Sequence, residues 1–122
     1  MHVIYSTSSS APQAPVPALI ARAPDEPSVA SSADKFIGTD LEKMLAARGV
    51  TTVIVVGTTA QGAVLYTASA AALRKLAVVV PVDGFSSDTA FAELVTAWLL
   101  KNAPVSVSAH VTLTKTDMIT LR

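Results

Sequence analysis

Between a run of β-branched residues and a helix-like stretch lies the turn Gly57-Thr58-Thr59-Ala60-Gln61-Gly62-Ala63-Val64. A strand-to-helix junction of this kind can serve three chemistries. A phosphate-binding loop needs GxxxxGK[ST], and Gly57 and Gly62 have the glycine spacing. Ala63 and Val64, however, stand where the lysine and hydroxyl are required. A dinucleotide fingerprint needs GxGxxG, and Thr59 holds the second glycine position. A turn that offers backbone N–H groups to an anion or a developing oxyanion needs no particular side chains. Only that reading fits residue by residue. Its competitor is architectural: Gly62, Ala63, Ala68, Ser69 and Ala70 to Ala72 make a slim helix that lets a sheet or another helix approach closely.

The other reactive side chains are scattered. Asp83, Asp34 and Asp117 are possible acids or bases, but a turn, a solvated loop and a chain end explain them as well. Thr58, Thr59 and Thr67 carry hydroxyls that would need an adjacent base to become nucleophiles. His2 and His110 are far apart and lack the spacing of a local metal motif. There is no cysteine, which removes disulfides, thiolate metal sites and thiol nucleophiles together. The spacing of Tyr66, Phe85, Phe91 and Trp98 predicts core packing rather than an aromatic site.

With 122 residues, 51% of them hydrophobic and 15% charged, the chain suits one globular domain, residues 1–122. Nine basic and nine acidic residues cancel. No basic tract could follow a phosphate backbone, so nucleic acid is not an expected partner. The apolar runs are short and bounded by Gly, Pro or charge, so no membrane span is expected. The start, MHVIYSTSSS, lacks the basic region of a secretory signal, and the expected location is cytoplasmic.

Elements that could position the turn follow from the pattern. Residues 1–35 are expected to be irregular, with a short strand at His2–Tyr5 and a marginal one at Ser28–Ala33. Prolines at 12, 15, 17, 24 and 27 forbid a regular helix between them, allowing at most one turn around Ala18 to Ala21. Residues 36–122 are expected to form the regular core. Thr39 as N-cap and Glu42 three residues on predict a capping box for a helix over Asp40–Arg48, with Gly49 as its stop. TTVIVV (51–56) reads as a buried parallel strand, Ala60–Lys75 as a helix, and LAVVVPV (76–82) as the next strand. Asp83-Gly84 makes a turn, Ser87 or Asp88 caps a helix to about Lys101, and VSVSAHVTLT (105–114) reads as a last alternating strand. The alternation predicts a three-layer α/β/α sandwich with a mostly parallel, Rossmann-like sheet.

From Phe36 to Asp88 the sequence resembles the isochorismatase-like superfamily of cysteine hydrolases. The resemblance rests on FIGTDLEKML (36–45), RGVTTVIVVG (48–57), the small-residue turn and VVVPVDG (78–84), in that order and spacing. It covers about Ser28 to Asn102. It implies an active site built from an Asp ending a first strand, a Lys near the strand before the GTDL helix, and a Cys opening the helix after the VVG strand. Carried over by position, the Cys falls on Ala63 and the Lys near Ala30, while Lys35 falls on the loop entering the GTDL helix. The Asp has no counterpart, because HVIY matches the family's second strand. The expectation is an Ala-for-Cys member, N-terminally shortened and without cofactor or metal, in which cysteine-type hydrolysis is not expected.

Two functional expectations follow. One is a domain that binds a small carboxylate or amide at Thr58, Thr59, Ala60, Gln61, Gly62, Ala63 and Asp83, at the carboxyl ends of the strands. Its alternative is an active hydrolase of C–N or ether bonds using non-standard residues. In the family's sheet the first strand is central, so its absence predicts that HVIY pairs directly with TTVIVV, that another chain fills or covers the edge, or that the polypeptide is a truncated product that folds poorly. This gap and the alanine-rich helix predict a homo-oligomer or a subunit partner for a full-length relative.

Overall fold

The computed structural model describes residues 1–10 and 26–122. The turn expected at Ala18 to Ala21, and the prolines at 12, 15, 17 and 24, lie outside the described residues. Strand β1 is Tyr5–Ser8 and pairs in parallel with β2, Ser28–Ser31, Tyr5 lying opposite Ser28. The first strand therefore starts where His2–Tyr5 was expected to end. Tyr5 N–H donates to Pro27 O at 3.0 Å, which locks pairing onto the polar YSTS segment instead of the apolar one before it.

Helix α1 is Leu41–Ala47, with Leu41 and Leu45 buried. The expected capping box does not form. Thr39 Oγ1 donates to Lys35 O at 2.6 Å and accepts from Leu41 N–H at 3.3 Å, so Asp40 becomes the N-cap residue. The Thr39 hydroxyl is held in the loop before the helix, where it donates to the Lys35 carbonyl and accepts from Leu41 N–H instead of from the helix's third N–H. Gly49, at φ +62°, ends the helix as expected, in the left-handed region that glycine adopts without strain.

Strands β3 (Thr52–Ile54), β5 (Ala77–Pro81) and β7 (Val111–Thr114) form a parallel sheet in the order β3-β5-β7. Val53, Val78 and Val111 stand in register. Two short strands, β4 (Gly57–Thr58) and β6 (Phe85–Ser86), continue β3 and β5 into a separate parallel ladder beside the turn. Helix α2 is Leu65–Leu73 and α3 is Ala90–Asn102. Both link neighbouring parallel strands, so right-handed crossovers place them on one face of the sheet. There Val64, Ala68, Ala71, Ala72, Val78, Val80 and Leu100 form the core. Mostly parallel sheets with crossover helices agree with the expected α/β sandwich.

The alanines of α2 have an intramolecular explanation. Ala68 and Ala72 are fully buried, and their small side chains bring the helix close to β5. Three other expectations are corrected. The helix expected over Ala60–Lys75 opens with a π-wound turn, Ala60–Val64, and stops at Leu73. Helix α3 is capped by Thr89, whose hydroxyl accepts from Ala92 N–H at 3.2 Å, rather than by Ser87 or Asp88. The expected strand over 105–114 splits. Val105–Ser108 forms a short helix, α4, because Pro104 O gathers the N–H groups of Val107 (2.8 Å) and Ser108 (3.0 Å). The alternation of VSVS is thus a one-turn helix with Val107 inward and Val105 outward.

Strand β1 does not pair with β3, contrary to one expectation. Among the described residues only β5 pairs with β3, and Ile54 and Val56 along that edge are exposed. The expectation of aromatic core packing holds for Phe85 alone. Phe91, Trp98 and Tyr66 lie largely in solvent, because the buried face of α3 is supplied by Thr96 and Leu100 and that of α2 by alanines.

Candidate functional site

The β-branched run reaches Gly57 and must turn sharply to enter α2. Gly57 takes φ +124°, which a side chain would oppose, and its N–H donates to Gly84 O at 2.9 Å. The Thr58-Thr59 peptide bond is cis. Thr59 O then accepts from both Gly62 N–H and Val64 N–H, each at 3.2 Å, so one carbonyl closes the first turn. A Cβ at Gly62 would lie 2.5 Å from Thr59 Oγ1, so any side chain there would have to displace the Thr59 hydroxyl.

The N–H groups of Thr59, Ala60 and Gln61 donate to no acceptor among the described residues. Three donors at the amino end of a helical segment are suited to a carboxylate or carbonyl oxygen. Ala63 is half-buried on this turn. The turn is braced from β6 and α3. Thr58 Oγ1 donates to Ser86 O at 3.3 Å, Ser87 Oγ donates to Gln61 Oε1 at 2.6 Å, and Ser87 N–H donates to Glu93 Oε1 at 3.0 Å. With its oxygen engaged by Ser87, Gln61 keeps its amide N–H groups as donors. Ser86, Ser87 and Glu93 were not legible as site residues. The one available cue was the SSD segment directly after VDGF, read there as a helix cap.

Asp83 is engaged away from the turn. Its Oδ1 accepts from Thr116 N–H at 2.9 Å and its Oδ2 from Thr116 Oγ1 at 2.7 Å. These bonds to Thr116, the hydroxyl first, hold its carboxyl below the usual range. Asp34 Oδ1 accepts from Phe36 N–H at 2.8 Å, which makes it a turn-former, and Asp117 is exposed on a single 3₁₀ turn. Thr67 Oγ1 donates to Ala33 O at 3.2 Å and accepts from Lys35 N–H at 3.2 Å, so its hydroxyl is structural. His110 precedes β7, where its carbonyl accepts from Val78 N–H.

Ala30 lies on β2 opposite Thr7, on the exposed side of that strand. Lys35, in the following loop, is 7% exposed. Its Nζ donates to Thr7 O (3.0 Å), Ser31 O (3.1 Å) and Ser32 O (2.7 Å). All three ammonium donors are thereby spent on carbonyls, and burial pulls its pKa below the ordinary lysine value. Lys35 therefore stitches β1 and β2 to the loop, and the loop to α2 one turn beyond Ala63.

Residues 6–111 match the family model of the isochorismatase domain. The chain belongs to the isochorismatase family. Solved structures agree on the fold. An isochorismatase-like hydrolase from Alkaliphilus metalliredigens superposes with a TM-score of 0.81 at 21% identity, over 95% of this chain and 62% of that one. An isochorismatase family protein from Desulfovibrio vulgaris gives 0.75 at 25% identity, over 85% of this chain and 52% of that one. A nicotinamidase from Staphylococcus aureus gives 0.71 at 24% identity, over 84% and 69%. This isochorismatase-family chain thus spans less than two thirds of the length of the Alkaliphilus protein. A comparison with curated proteins found no match. No helix among the described residues is long and apolar enough to cross a membrane.

Proposed function

We propose that this isochorismatase-family domain binds a small carboxylate or amide at the Thr58–Ala63 turn and carries out no cysteine-type hydrolysis there. The observation that carries the reading is the turn itself. It presents unspent N–H groups at Thr59, Ala60 and Gln61 beside the methyl of Ala63, which has no nucleophile. The Thr59, Ala60 and Gln61 N–H groups beside Ala63 would meet the ligand oxygen, and the Gln61 side-chain amide would add a donor. Asp83 belongs to this proposed site only as the carboxylate that fixes the loop after β5. Its engagement with Thr116 also weighs against the alternative, a hydrolase of C–N or ether bonds that uses Asp83 as base.

The S. aureus relative is a nicotinamidase by name, so nicotinamide and nicotinate head the probe set, with simple aliphatic amides and carboxylates beside them. A bound ligand at about ten times its Kd adds about 1.4 kcal/mol of stability. That raises the melting midpoint of a domain this size by roughly 5 °C. The expected result is such a shift with at least one probe, lost in Gln61→Ala, and no ammonia released from any amide. No shift from any probe would sink the binding reading. Steady ammonia release abolished by Asp83→Ala would establish the hydrolase instead.

Assembly is the second reading, as a homo-oligomer or as partner to a full-length relative. The observation favouring it is the edge of β3 that no described strand pairs, with Ile54 and Val56 exposed along it. Light scattering on the purified chain tests it, and a monomer at all concentrations would remove it.

A further inference from the structure

Helix α3 buries one face and leaves another bare. Thr96 and Leu100 are fully buried, while Phe91, Leu94 and Trp98 are 73%, 69% and 61% exposed. The three exposed residues recur at helical spacing, so they form one apolar stripe on the side away from the sheet. Taking roughly 150–250 Å² for an aromatic side chain, the stripe leaves on the order of 400 Å² of apolar surface in water. A patch of that size matches the largest apolar patch of a typical monomer, which is often functional.

The stripe is also symmetric about its own midpoint, between Leu94 and Val95. Phe91 and Trp98 are equally far from that point, and so are Asp88, just before the N-cap, and Lys101, in the last turn. Asp88 and Lys101 are both exposed, and neither makes an ion pair with a described residue. A helix with this arrangement is complementary to a second copy of itself laid antiparallel across a two-fold axis. Phe91 of one copy then meets Trp98 of the other, Leu94 meets Val95, and each Asp88 faces a Lys101. A parallel arrangement would set Asp88 against Asp88 and Lys101 against Lys101. A lipid surface would gain nothing from the matched acid and base.

We infer that the exposed face of α3 is a homodimer interface in which two copies pack antiparallel about a two-fold axis through Leu94 and Val95. This concerns a different surface from the β3 edge and stands independently of the ligand reading. The stripe is smaller than the roughly 800 Å² per partner of a standard interface, so the dimer is weak and exchanges in the micromolar range.

Sedimentation equilibrium of the full chain, from micromolar to submillimolar concentration, tests the inference. The expected result is a monomer–dimer equilibrium reaching twice the 12.6 kDa chain mass. Leu94→Glu and Trp98→Ala, at positions already in solvent, should keep the native circular dichroism spectrum and each weaken dimerisation about tenfold or more. Asp88→Lys and Lys101→Asp should each weaken it about two- to fivefold, and the double reversal should restore it. A monomer throughout, or a dimer unmoved by both Leu94→Glu and Trp98→Ala, overturns the inference; the latter result leaves the β3 edge as the contact. A double reversal no tighter than the single ones overturns the antiparallel pairing.

Discussion

Replacing Lys35 by Met removes a buried ammonium while keeping a side chain of similar length, and its cost can be worked from the structure. Three charge-assisted hydrogen bonds disappear, to Thr7 O, Ser31 O and Ser32 O. Such bonds contribute about 1.5–3 kcal/mol each when broken one-sidedly. Two effects reduce the sum. Ser31 O keeps its bond from Ser9 N–H at 2.9 Å, and Ser32 is exposed enough for water to reach its carbonyl. Losing the ammonium also relieves its desolvation. The expected net loss is about 2–3 kcal/mol, read as a lower urea midpoint at unchanged slope. The pH dependence supplies a second signature. Because burial lowers the folded-state pKa of Lys35 below 10.5, the unfolded chain binds more protons between the two values. Wild-type stability relative to Lys35→Met should therefore rise as pH climbs through the folded pKa towards 10.5, and fall back on return. A loss under about 0.5 kcal/mol would refute the clamp, because an ammonium this buried cannot be spectator to three carbonyls. An identical pH slope in the variant would refute the desolvation argument.

Two further substitutions test the turn and its surroundings. Gly62→Ala gains up to about 1 kcal/mol of helix propensity, but its Cβ would sit 2.5 Å from Thr59 Oγ1. The single variant should be about 1 kcal/mol less stable than wild type, and adding Thr59→Ala should reverse the sign; a stabilised single variant would show that the winding is looser than described. Asp83→Asn should flatten the acid limb of the stability curve. The folded-state pKa lies below 3.8, so the carboxylate contributes stability above that value and loses it as pH falls through the folded pKa. Urea midpoints measured between neutral and strongly acid pH check this, and an unchanged acid limb would mean that Thr116 does not hold the carboxylate in solution.

What could be read in advance follows from which forces act locally. LAVVVPV declared a buried parallel strand through its continuous β-branched run, whereas TTVIVV, expected to be buried as well, is a short edge strand among the described residues, with Thr52 and Ile54 exposed. The misplaced boundaries lay where a single hydroxyl or carbonyl had two acceptable partners. Thr39 took the Lys35 carbonyl instead of capping α1, and Pro104 O wound VSVS into a turn despite its strand-like alternation. The bracing of Gln61 by Ser87, and of Ser87 by Glu93, joins residues from three elements, and no local pattern encodes such a meeting. The aromatic residues misled for a different reason. Helical spacing announces a face without saying whether that face is covered, and on α3 the covered face turned out to be the one with Thr96 and Leu100.

Lys35 and Ala63 together define what kind of site the turn can be. A thiol at the helix opening would need a nearby ammonium with a donor to spare, and the one buried lysine has spent all three on backbone carbonyls. A cysteine placed at position 63 would thus find no free donor on Lys35. The N–H donors of the turn, by contrast, belong to the backbone and persist whatever side chain stands at 63. In the proposed reading, the hold on an oxygen ligand rests on the winding at Thr59 and Gly62, with the Gln61 amide as an added donor. The proposed binding therefore depends on Gly62 more than on Ala63.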